Sequence, residues 1–66
     1  MRTLKEIREQ EALTVLTLAR KAGVSPSTIA RVESGLPARH VTRRKIAKAL
    51  KVSPKDIDFN LTYNLI

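Results

Sequence analysis

The chain has 66 residues, with 13 Lys and Arg against 6 Asp and Glu, a net charge of +7 and a pI near 10.6. That length allows one small domain, which buries only about 60% of the surface its unfolded form exposes. A composition of 42% hydrophobic and 29% charged residues is that of a folding chain and not of a disordered one. There is no cysteine and no apolar run longer than two residues. These exclude a disulfide or thiolate metal site, and leave no membrane-crossing segment or secretory signal to expect.

Helix signals recur along the chain. Leu4 and Ile7 lie three apart on a first helix from Thr3 to Gln10. Thr14 is a good N-cap for a second helix, whose Val15, Leu18, Ala19 and Ala22 follow the 3.6 period, and Gly23 can take the left-handed conformation that ends it. Ser25-Pro26 is a stronger start signal, because serine caps backbone donors and proline prefers the first helical position. Ile29 and Val32 form the buried stripe of this third helix and Gly35 stops it. A loop then runs from Leu36 to His40, and Thr42 is expected to cap a fourth helix with Ile46, Ala47 and Leu50 inward. Ser53-Pro54 repeats the cap-and-proline start and predicts a short fifth helix through Asp58. Beyond it Phe59, Leu61, Tyr63 and Leu65 alternate with polar residues, which argues for a strand. A continued helix through Ile57, Leu61 and Leu65, or a frayed tail, is the alternative.

The charge is concentrated. Arg39, Arg43, Arg44, Lys45, Lys48 and Lys51 fall between residues 39 and 51 with no acid among them. A basic stripe in a folded segment points to nucleic acid or an anionic membrane surface, against the plainer reading of a solvated helix face. Two short helices joined across Gly23, the second opening with Ser-Pro, are what a DNA-binding helix-turn-helix requires.

On the residues Leu4, Ile7 and Arg8, then Leu18-Ala19 and Ala22-Gly23-Val24-Ser25, then Ser27 to Glu33 with Gly35, then Ile46 to Leu50 with Val52-Ser53, the chain resembles the lambda-repressor and Cro type of helix-turn-helix domain, the Xre family. The resemblance covers residues 3 to 58. It implies an all-α, compact five-helix fold, here followed by the tail strand as a dimerisation element. Residues 1–58 would form the DNA-binding domain, with the helix-turn-helix at 14–35 and the tail at 59–66.

Helical phase selects the base readers. Ile29 and Val32 point one way, while Ser27, Ala30, Arg31 and Ser34 share the opposite face. Arg31 can bond both acceptors of a guanine edge and Ala30 can touch a thymine methyl. The competing readings are a phosphate contact for Arg31 and a hydroxyl satisfying its own backbone for Ser27. Phosphate contacts are expected at helix starts, from Thr14, Ser25 and Thr42, with Thr28 in the same set. The resemblance adds Arg39, Arg43 and Arg44 of the following loop and helix start. Arg43 occupies a position where the family carries an apolar residue, so it is expected to lean out past the helix start. Lys48 and Lys51 read as solvated. The family usually has glutamine where this chain has Val15, which shifts the burden of recognition to the third helix. Val15 is expected in the core and Leu16 on a partner surface. Arg8 and Glu33 match a family pair that bridges the first and third helices, a structural role.

One histidine, His40, and six scattered carboxylates give no nucleophile with a base, no metal cluster and no glycine-rich phosphate loop, so neither catalysis nor a cofactor is expected. His40 reads as a backbone contact or a solvated loop residue. The sequence thus points to a sequence-specific binder of double-stranded DNA: a small homodimeric repressor on a palindromic operator, phage-type or antitoxin-like, cytoplasmic and nucleoid-associated, with Phe59, Leu61, Tyr63 and Leu65 in the dimer interface. The alternatives are a protein-binding adapter with the same fold, and an RNA or membrane-surface binder using the basic helix alone.

Overall fold

A computed structural model describes residues 2–59. In chain order it contains β1 (Arg2–Thr3), α1 (Leu4–Gln10), α2 (Val15–Ala22), α3 (Pro26–Glu33), α4 (His40–Ala49), a 3-10 turn at Pro54–Asp56 and β2 (Ile57–Asp58).

Local chemistry explains most helix starts. Thr3 caps α1 through a capping box: its Oγ1 accepts from the Glu6 N–H at 3.2 Å, while its own N–H donates to Glu6 Oε1 at 3.0 Å. The hydrogen bond from the Thr3 N–H is the main cause that holds the Glu6 carboxyl below its ordinary value of 4.5, and the Thr3 side chain adds to it. A carboxyl with a lowered folded pKa contributes stability that is present above its unfolded value and is lost as the pH falls through the folded one. The stability advantage of the chain over Glu6→Ala should therefore shrink on acidification below about pH 4.5, as read by thermal unfolding of both. A constant difference would leave the ionised box without a role. Thr14 and Ser25 cap α2 and α3 as expected, accepting from the N–H groups of Thr17 and Thr28.

All four helices end on the same pair of backbone hydrogen bonds. One N–H bonds five residues back, Leu13 to Arg8, Val24 to Ala19, Leu36 to Arg31 and Val52 to Ala47, and the N–H just before it bonds three back, Ala12 to Glu9, Gly23 to Arg20, Gly35 to Val32 and Lys51 to Lys48. The residue that bonds three back takes the left-handed conformation in each case. Gly23 (φ 72°) and Gly35 (φ 93°) do so without a Cβ penalty, whereas Ala12 (φ 56°) and Lys51 (φ 59°) carry one.

Three sequence expectations need correction. Thr42 does not cap α4. The helix begins two residues earlier at His40, with Arg39 in the capping position and no side-chain hydrogen bond there. Thr42 is half-buried inside the first turn instead. The fifth helix is only the 3-10 turn, because Ile57 leaves helical geometry at φ −108°, ψ 132° to enter β2. The fold is thus four helices with a short strand pair. β2 lies parallel to β1, with Arg2 opposite Ile57 and Thr3 opposite Asp58, a strand pair that the all-α expectation did not include. The strand proposed for residues 59–66 falls, apart from Phe59, outside the described residues.

The core contains Leu4 and Ile7 of α1, Leu18, Ala19 and Ala22 of α2, Ile29 and Val32 of α3, Ile46, Ala47 and Leu50 around α4, and Ile57 and Phe59. It reaches one residue past the boundary expected at 58. Val15 packs against it, as expected, while Leu16 is 48% exposed. No helix among the described residues is long and apolar enough to cross a membrane.

Candidate nucleic-acid interface

α3 is anchored from beneath. Ile29 is fully buried and Val32 nearly so, and this fixes the rotation of the helix about its own axis. At 100° per residue the other side then carries Ser27, Ala30, Arg31 and Ser34, and all four are exposed. A second constraint holds the far end. Arg8 Nε donates to Glu33 Oε2 at 2.6 Å, Nη2 donates to Oε1 at 3.2 Å, and Nη1 donates to the Leu13 carbonyl at 2.8 Å. One guanidinium therefore ties α1, the turn before α2 and the last residue of α3 together. The hydrogen bond to Glu33 also raises the Arg8 pKa, so the cation is permanent.

The four outward residues differ in what they have left to offer. The Arg31 guanidinium has no intramolecular partner among the described residues, which leaves its full fork for a ligand. The Ser34 hydroxyl donates to the Ala30 carbonyl at 2.9 Å, so only its acceptor capacity remains. Ser27 is exposed, and its hydroxyl is not the cap of its helix, since Ser25 performs that task.

The expected phosphate contacts separate into groups. Thr14 and Ser25 spend their hydroxyls locally. Thr14 Oγ1 also donates to Thr17 Oγ1, and Ser25 Oγ shares a hydrogen bond with Thr28 Oγ1, both at 2.9 Å. What these starts can offer an anion is mainly free backbone N–H groups. Thr28, Arg31, Arg39 and Thr42 line one depression of about 180 Å³ between α3 and α4, with Val32, Pro37 and Ala38 in its walls. The structure thus brings together three of the phosphate candidates and the leading base-reading candidate. Because Arg39 makes no side-chain cap, the first-turn N–H groups of α4 are also open to an anion.

Arg43 behaves differently from its expectation. Instead of leaning out, its guanidinium carbon lies 5.5 Å from the centre of the Phe59 ring, and its Nε is buried without a hydrogen-bond partner. The cation–π contact and the aliphatic stem explain how α4 accommodates an arginine on its inward side. Phe59 is only 8% exposed, in the chain's own core, so it is not free for the dimer surface expected of it. Leu61, Tyr63 and Leu65 lie outside the described residues. Sequence reading missed the Arg43–Phe59 pair, although an arginine at an inward helical phase was the available signal. Arg44 is exposed and reaches a second depression of about 420 Å³, shared with His40, Arg43 and Lys55. No cluster of potential metal ligands occurs among the described residues.

An anchored helix presenting an unpaired arginine and small polar residues, beside open helix N-termini in a basic segment, defines a DNA-binding protein of the transcription-regulator type. A family model described as helix-turn-helix matches residues 4–57, and the chain belongs to that family, in its lambda-repressor and Cro form. The family is a DNA-binding one and not a catalytic one. No curated protein and no solved structure matches the chain.

Proposed function

We propose that the chain is a sequence-specific repressor that binds a palindromic operator in double-stranded DNA as a homodimer, in the manner of small phage-type regulators or antitoxins, and works in the cytoplasm on the nucleoid. The observation that carries this reading is the outward row Ser27, Ala30, Arg31 and Ser34 on a helix locked from beneath by Ile29 and at its end by Arg8–Glu33. Thr14, Ser25, Thr28, Arg39, Thr42 and Arg44 serve the phosphates on either side. Dimerisation is assigned to the tail residues Leu61, Tyr63 and Leu65.

Selection of bound duplexes from a random pool at moderate salt tests the proposal. The expected product is a two-fold symmetric consensus with half-sites about 34 Å apart, the spacing of two-fold helix-turn-helix dimers in this family, and an affinity that falls steeply with salt. An asymmetric single half-site would remove the homodimer, and duplex binding without any consensus would remove sequence specificity. Sedimentation of a chain cut after Phe59 separates the tail from any other dimer surface.

Exposed Leu16 favours a second reading, a protein-binding adapter with the same fold. Binding that is insensitive to salt and indifferent to duplex DNA would establish it.

A further inference from the structure

Beyond Arg44, the outward face of α4 around Val41, Lys45 and Lys48 is a basic surface to which no phosphate contact is assigned. Val41, Arg44, Lys45 and Lys48 line one shallow groove of about 140 Å³. At 100° per residue their common direction lies about 160° from the inward residues Arg43, Ile46, Ala47 and Leu50, and about 110° from Thr42, which looks into the depression beside α3. A duplex seated on α3 and Thr42 therefore meets α4 from a different side.

Two observations define what can cover this face. Its cations are unmatched: the segment 39–51 has no acid, and neither Lys45 nor Lys48 has an ion pair among the described residues. Val41, in the same groove, is 60% exposed. A phosphate backbone complements the lysines but offers nothing that would remove an aliphatic side chain from water. An acidic protein segment with apolar residues along one side offers both.

We propose that this face of α4 docks an acidic amphipathic helix of another protein while α3 remains on DNA, with carboxylates on Lys45 and Lys48 and an aliphatic side chain over Val41. Arg44 lies at the edge, shared with the second depression. The surface thus makes the DNA-bound chain a landing site for a second protein, a role separate from operator recognition.

Two synthetic helical peptides of equal glutamate content, one with leucines along one side and one with serines in their place, provide the probe. Each is titrated by NMR into the chain saturated with a selected duplex. The leucine peptide should shift Val41, Lys45 and Lys48 without releasing the duplex, and bind about tenfold more tightly than the serine peptide. Val41→Ser should abolish that tenfold difference and leave duplex affinity unchanged. Equal binding of the two peptides, no binding, shifts located elsewhere, or release of the duplex would each overturn the proposal. So would shifts of Val41, Lys45 and Lys48 caused by the duplex alone, which would make the face a phosphate surface. If no duplex binds, the repressor reading fails on its own, and the same peptide titration of the free chain still decides this one.

Discussion

Replacing Glu33 by alanine should lower the unfolding free energy by about 2–3 kcal/mol, because it leaves the Arg8 cation largely buried with only a carbonyl for company. Both side chains are 11% exposed, enough for some water to reach the vacated site, so the cost falls short of that for a fully buried pair. A chain of this length has a total stability of roughly 3–10 kcal/mol, so one substitution removes a large share of it. The double replacement Arg8→Met with Glu33→Leu should recover most of the loss, since the penalty lies in the orphaned charge and not in the absence of a salt bridge. Urea unfolding of the unaltered chain and the two variants checks this. A loss under about 0.5 kcal/mol for Glu33→Ala would show that the bridge is as weak as a solvated surface pair.

Arg31→Ala should cost about 1–3 kcal/mol of discrimination at one base pair in each half-site, with little effect on stability, because an exposed side chain without a hydrogen bond or ion pair among the described residues is removed. The expected phosphate contact Arg44 gives the contrast. Arg44→Ala should weaken all duplexes by a similar factor and flatten the salt dependence. Competition binding across single-base operator variants distinguishes the two patterns. If both substitutions flatten the salt slope and neither relaxes a base preference, Arg31 belongs to the phosphate set.

What the sequence disclosed was governed by local chemistry. Thr14 and Ser25 act within three residues of their own positions, and the apolar spacing of Leu18, Ile29 and Ile46 converts directly into burial. Thr42 misled because its hydroxyl is a good cap in isolation. The start of α4 is set instead by where the loop after Gly35 delivers the chain, and Arg39 fills the position without capping chemistry. Two helix ends were marked by glycine, but those at Ala12 and Lys51 use the same geometry with a residue that gives no sign of it. The pairing of Arg2 with Ile57 was equally hidden, since two-residue strands have no period to detect and the two partners lie about 55 residues apart in the sequence. For the site, helical phase was enough to find the outward row of α3. It failed for Arg43, whose direction depends on Phe59 arriving from beyond the 3-10 turn.

The two-residue strand pair also sets an order of events. Joining Arg2 to Ile57 closes a loop of about 55 residues, whereas the helix-turn-helix joins neighbours in the chain. Closure entropy grows with loop length, and so few backbone hydrogen bonds offset little of it. The clasp should therefore form after α2, α3 and α4 have assembled, and be the first part to open under native conditions. Opening it would carry Ile57 and Phe59 away together and free the Arg43 guanidinium at the start of α4. Amide hydrogens of the clasp should exchange well before those around Leu18 and Ile29, leaving α3 in place while the basic end of α4 changes its charge display.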